Sequence, residues 1–176
     1  MTTKLLIAGF GGQGVLFIGK FLAYAGLIED REVCWMPSYG PEVRGGTSNC
    51  GVTLSDEPIG SPVVDHPDIL IALNLPSLDK FENAVEKGGS IYIDSSLIER
   101  KIERDDVKSF YIPATKLARD TGLSANMIML GYLLKTSNVM PYDLAEKVIE
   151  KIVPPTKQHL IAGNLKGIEY GYNYCE

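Results

Sequence analysis

Cysteine, histidine and excess basic charge are all scarce in this 176-residue chain, and each shortage excludes a class of chemistry. The three cysteines, Cys34, Cys50 and Cys175, stand far apart with no Cys-x-x-Cys spacing. That arrangement excludes a four-thiolate iron–sulphur cluster held by this chain alone. An odd, scattered set also argues against a disulfide framework and suits a reducing, cytoplasmic setting. Of the two histidines, His159 is isolated, and His66 lies in Asp65-His66-Pro67-Asp68, where proline splits the group. We read that group as a solvated loop, and no metal site is expected. No Ser-His-Asp or Cys-His arrangement is legible. Seventeen basic residues against 22 acidic ones give a net charge of −5 without a dense basic run, so no nucleic-acid partner is expected. Uninterrupted apolar runs stay short, as in residues 69–73, far below the roughly 18 that cross a bilayer. The start, Met-Thr-Thr-Lys, turns apolar but is soon broken by glycines and Gln13 with no small-residue cleavage site, so no secretory signal is expected.

What is present is an ordinary globular composition, 45% hydrophobic and 22% charged. A chain of this length is expected to form one domain with a tail and buries about 70% of its unfolded surface without a staple. Residues 4–8 (KLLIA) read as a strand buried on both faces, followed by a glycine-rich turn and a buried helix over 15–27. Residues 32–36 read as the second strand, closing a β-α-β unit. After a loop over 37–46, residues 48–54 alternate loosely and suit a strand exposed on one face. Further strands are expected at 69–73, 90–93 and 109–112, with helices over 74–84, 113–120 and 141–152 and one capped by Ser124. Helical spacing continues through a tail, 156–176. The fold class that follows is α/β: a three-layer α/β/α sandwich with a mostly parallel, Rossmann-like sheet.

Two stretches carry the chemistry. Gly9, Gly11 and Gly14 satisfy G-x-G-x-x-G between a strand and a helix, where small residues let backbone N–H groups approach an anion. The acidic residue expected about 20 positions on, at the end of the second strand, is missing, which weakens a nicotinamide or flavin dinucleotide. The same glycines also serve a turn with no ligand. The second stretch is PSYGPEVRGGT, residues 37–47, placed beyond the carboxyl end of a strand where α/β sheets bind ligands. There Glu42 and Arg44 suit an anion clamp with its counter-charge and Tyr39 a stacking face, or equally an exposed pair in a turn. Asn126 either turns a polar group towards the same crevice or starts a helix.

Together GxGGQG, PSYGPEVRGGTSNC, DILIALN and ANMIMLGYLL resemble the gamma subunit of 2-oxoacid:ferredoxin oxidoreductases, over residues 4 to about 152. Within that family the pattern is most similar to the 2-oxoglutarate or branched-chain 2-oxoacid type. The resemblance implies an enzyme, inactive as a lone chain, that decarboxylates a 2-oxoacid oxidatively and delivers the acyl group to coenzyme A. It implies coenzyme A at this chain's surface, with thiamine diphosphate, its Mg and 4Fe-4S clusters on partner subunits. The partners implied are alpha and beta subunits, a delta subunit in some assemblies, and ferredoxin through the complex. Carried over, Gly9, Gly11, Gly12, Gln13, Gly14, Tyr39, Gly45, Gly46 and Thr47 bind the coenzyme, with Gln13 offering amide donors. Glu42 and Arg44 face the catalytic subunit or the coenzyme's phosphates. The expected organisation is a gamma-type catalytic domain over 1–155, with 156–176 as its helical tail. The alternatives are a stand-alone nucleotide-binding module or NAD-type dehydrogenase, and a scaffold with an empty crevice.

Overall fold

Apolar alternation and glycine punctuation resolve into a six-stranded sheet and its helices in a computed structural model that describes residues 1–38 and 47–175. β1 (Thr2–Phe10), β4 (Ile69–Ala72), β5 (Ser90–Asp94) and β6 (Lys108–Ile112) lie side by side in parallel. β3 (Thr47–Ser55) runs antiparallel between β1 and β2 (Glu32–Ser38), so the order is β2-β3-β1-β4-β5-β6. The sheet is therefore mostly parallel, as the sequence implied. The β-α-β unit is split, however: β2 shares the direction of β1 but does not touch it. Only residues 39–46 join β2 to β3. That is too short for a crossover, which takes a dozen or more residues, so the two pair antiparallel.

The same insertion corrects the expectation that residues 48–54 expose one face. Cys50, Val52 and Leu54 are wholly buried on one side of β3. On the other, Gly51, Thr53 and Ser55 are buried too, with Val64 against Gly51 so closely that a β-carbon there would stand 2.9 Å from it. A strand with neighbours on both edges and cover on both faces has no solvent side left.

Side chains alternate between the two faces. Leu5, Ile7, Val52, Ile71 and Tyr92 point into the larger core. That core is roofed by α1 (Val15–Ile28), α4 (Ala125–Ser137), α5 (Ala145–Ile152) and α6 (Ile161–Tyr172), with Ala114 of α3 (Ala114–Thr121) at its edge. Leu6, Leu70, Ile91 and Ile93 point into a smaller core under α2 (Leu75–Phe81) and the segment carrying Ile98. Three layers result, one of them thin. α1 is buried along most of its length, which explains why its apolar residues occupy nearly the whole wheel. The helix expected over 141–152 is a 3-10 turn, Tyr142–Leu144, running into α5. Ser124 stands at the N-cap of α4 but makes no side-chain cap bond. Among the described residues no helix is long and apolar enough to cross a membrane.

Cys50 behaves as a small hydrophobe. Its thiol donates to the Val15 carbonyl at 3.6 Å, and burial pushes its pKa up to about 11. At pH 8 the folded chain is expected to resist alkylation at Cys50 while the exposed Cys175 reacts, as mass spectrometry of peptides would read. Rapid labelling of Cys50 in the folded chain would contradict this burial. Because folding raises this pKa, the stability held in the neutral thiol is complete below about pH 9. It is lost as pH rises towards 11.

Candidate functional site

β1 ends at Phe10, and the chain turns through glycines into α1. Gln13 N–H donates to the Phe10 carbonyl at 3.2 Å, closing the turn. Gly12 and Gly14 take φ of 92° and 77°, a left-handed region that a β-carbon disfavours. Gly14 is the N-cap of α1 and has no side chain to offer, so the first N–H groups of that helix are left for a ligand or solvent. The Gln13 carboxamide is committed to the main chain. Its Oε1 accepts from Phe10 N–H at 2.6 Å, and its Nε2 donates to the Leu73 carbonyl at 3.0 Å. Gly9 makes room for that bracket: a β-carbon there would stand 2.6 Å from Gln13 Oε1.

Next to this turn lies a cavity of about 450 Å³. Its floor is Gly12, Gln13 and Gly14; its walls come from the end of β5, the start of α3 and the start of α4. Asp94, only 2% exposed, supplies one wall. Its carboxylate accepts from Ser96 N–H at 3.0 Å, Thr115 N–H at 3.1 Å and Thr115 Oγ1 at 2.6 Å. Those bonds join the loop after β5, with Leu97 on the cavity rim, to the first turn of α3. Ser124, Ala125 and Asn126 bring the uncapped start of α4 to the opposite wall. Two helix N-termini thus face one cavity. Their dipoles and free N–H groups favour an anion. No lysine, arginine or histidine stands among the described lining residues. Asp94 is the one acid among the described lining residues, and its carboxylate is taken up by Ser96 and Thr115. What is offered to a ligand is therefore uncharged N–H donation, suited to an anionic or strongly polar group.

A larger cleft of about 950 Å³ opens at the opposite end of the strands, near Glu29, Arg31, Asp56 and Tyr142. Its Arg31 is tied to Asp56 at 3.6 Å and to the Leu54 carbonyl at 3.3 Å. The cleft faces the amino ends of β1 and β4 beside the carboxyl end of β3, with no glycine among its described lining residues. The site is placed at the smaller cavity because chemistry, not volume, converges there.

Of the residues singled out in sequence, Gly9 lies near the end of β1, and Gly11, Gly12, Gln13 and Gly14 lie in the turn. Gly12, Gln13 and Gly14 line the cavity, while Gly9 and Gly11 do not. Thr47 pairs with Phe10 across β3 and β1, which brings the start of β3 beside the turn, but it does not line the cavity. Tyr39, Glu42, Arg44, Gly45 and Gly46 lie outside the described residues. Asp94, Leu97 and Thr115 were missed. The signal existed for Asp94, which ends a strand on the ligand-binding edge, but nothing in sequence marks which strand ends meet. Asp65 and Asp68 do not join His66: its Nδ1 lies 3.3 Å from the Ala84 carbonyl, while Asp68 accepts from Lys4 N–H at 2.8 Å. Among the described residues no group of three His, Cys, Asp or Glu is placed to hold a metal. Cys34 and Cys50 sit on separate strands and Cys175 beyond α6, so these side chains do not fit an iron–sulphur cluster.

A family model described as pyruvate ferredoxin/flavodoxin oxidoreductase matches residues 4–174. Ketoisovalerate oxidoreductase subunit VorA of Methanothermobacter marburgensis is 46% identical over 174 residues, covering 98% of this chain and 36% of that protein. The chain thus spans little more than a third of that relative. 2-Oxoglutarate synthase subunit KorC of Methanocaldococcus jannaschii is 36% identical, covering 96% of this chain and 94% of the relative. Among solved structures, the gamma subunit of a keto/oxoacid ferredoxin oxidoreductase from Geobacter sulfurreducens superposes with a TM-score of 0.80 at 29% identity, covering 97% of this chain and 96% of that one. A 2-oxoglutarate:ferredoxin oxidoreductase from Magnetococcus marinus, solved with 2-oxoglutarate, coenzyme A and succinyl-CoA, shares the fold. Its TM-score is 0.81 at 22% identity, over 97% of this chain and 30% of that one.

Proposed function

The chain belongs to the pyruvate ferredoxin/flavodoxin oxidoreductase family, and on that premise we propose that it is the gamma subunit of a cytoplasmic 2-oxoacid:ferredoxin oxidoreductase that shapes the coenzyme A side of the active site. The observation that carries this reading is the cavity at the glycine turn. It presents two uncapped helix N-termini to a phosphate-bearing ligand and has no acidic residue for a dinucleotide ribose at the end of β2. Coenzyme A supplies the thiol that receives the acyl group. Gly12, Gly14 and the start of α4 bind and orient it, and the Asp94 bracket holds the wall that limits water at that place. The gamma-type domain spans 1–155, with 156–176 as a helical tail of the same domain; α6 of that tail crosses α4 closely at Gly131, Gly167 and Gly171. Thiamine diphosphate, Mg and the 4Fe-4S clusters reside on the partner subunits, which are alpha and beta subunits with a delta subunit in some assemblies, and ferredoxin docks through the complex. The names of the relatives favour a branched-chain 2-oxoacid or 2-oxoglutarate as substrate.

The test is reconstitution. The isolated chain is expected to give no reduction of ferredoxin with 2-oxoacid and coenzyme A, and the assembled complex to give turnover that requires coenzyme A. Turnover by the pure chain would overturn the reading. So would calorimetry that finds tight NAD binding and no effect of coenzyme A.

A further inference from the structure

Two carboxamides border the glycine turn, and the structure separates their roles. Gln13, inside the glycine motif, is engaged at both ends by Phe10 N–H and the Leu73 carbonyl. Asn126, on the second residue of α4, is engaged at one end only. Its Oδ1 accepts from Met127 N–H at 3.0 Å. Its Nδ2 rests over Gly14, where a β-carbon would collide with it, and has no acceptor among the described residues. The left-handed, side-chain-free Gly14 thus lets an amide donor from another helix lie directly on the turn, facing the cavity that both residues line.

We propose that Asn126 Nδ2 is the side-chain donor that this cavity presents to the coenzyme, to an oxygen of its diphosphate, and that Gln13 is a positioning residue whose carboxamide makes no hydrogen bond to the ligand. The inference rests on the reading that coenzyme A occupies this cavity. Its physical basis is availability. A carboxamide that braces the turn cannot leave Phe10 and Leu73 for a ligand without stranding a backbone donor and a backbone acceptor. Asn126 loses nothing by binding. It stands between the helix starts that favour an anion, and it supplies a donor without a competing charge.

Three variants of the assembled oxidoreductase test this: Asn126→Ala, Gln13→Met and, to fill the cavity without touching either carboxamide, Ala125→Trp. Asn126→Ala is expected to raise KM for coenzyme A about tenfold with kcat within about twofold, the loss of one hydrogen bond to a charged group. Hydrogen exchange of the turn amides without coenzyme A should be unchanged in that variant. Gln13→Met should instead speed exchange of the Phe10 amide before any ligand is added, which a residue serving only as a ligand donor would not do. If Ala125→Trp raises KM while Asn126→Ala does not, the role of Asn126 is overturned and the coenzyme site stands. If neither changes KM, the site reading fails and the inference with it. Unchanged Phe10 exchange in Gln13→Met overturns the positioning role.

Discussion

Gly171→Ala is expected to lower the unfolding free energy by about 3 kcal/mol, the upper end of what overpacking usually costs. For a chain of this size that is a fall in Tm of about 6–12 °C. α6 crosses α4 so closely that a β-carbon at Gly171 would collide with the Ile128 carbonyl, and one at Gly131 with the Ile168 carbonyl. Both obstacles are backbone and cannot swing aside like the tip of a side chain. The helices must separate, which opens the packing around Ile168 and Ile128, both wholly buried. Gly131→Ala should cost a similar amount by the reciprocal contact. Gly163, on the same helix, meets nothing within 4 Å. Gly163→Ala should therefore be neutral or stabilise by up to about 1 kcal/mol, since alanine is the better helix former. Calorimetric unfolding of the three variants checks the argument. Equal Tm values for Gly163→Ala and Gly171→Ala would contradict the close crossing.

Asp94→Ala should be comparably damaging, about 2–4 kcal/mol, and should also raise KM for coenzyme A in the assembled enzyme. The substitution strands the N–H groups of Ser96 and Thr115 and the Thr115 hydroxyl beside a position that is 2% exposed, each at a cost of order 1–3 kcal/mol before relaxation. It also frees the Leu97 loop from α3, so the cavity loses a wall. Thr115→Val removes one of those bonds and should cost about 1 kcal/mol. An Asp94→Ala variant that unfolds with the parent and keeps its coenzyme A dependence would show that the bracket does not build the site.

The elements most legible in sequence are those that local chemistry controls. The glycine turn announces itself because positive φ at Gly12 and Gly14 needs residues without a β-carbon. The start of α2 is legible because Asn74 is a good N-cap, its Oδ1 accepting from Ser77 N–H at 2.9 Å, and proline follows in the first turn. Its end comes at Phe81, before a 3-10 turn over Glu82–Ala84 that the helix expected over 74–84 takes in. The apolar runs of β1 and β4 identify strands covered on both faces. These features sufficed for the α/β class and for the glycine-turn side of the cavity.

The insertion of β3 between β1 and β2 was not legible. Strand order depends on which edges meet, and residues 47–55 carry no local signal of their neighbours. The role of Asp94 was hidden for the same reason: its partners, Ser96 and Thr115, lie 2 and 21 residues away and meet only after β5, β6 and α3 are packed. Gln13 and Asn126 sharpen the point. By itself the sequence determined that an amide lies in the glycine turn and that another begins a helix, because turn and cap preferences act over a few residues. Only the tertiary structure decided which is spent on Phe10 and Leu73 and which lies free over Gly14, because satisfying a polar group depends on every surface brought against it.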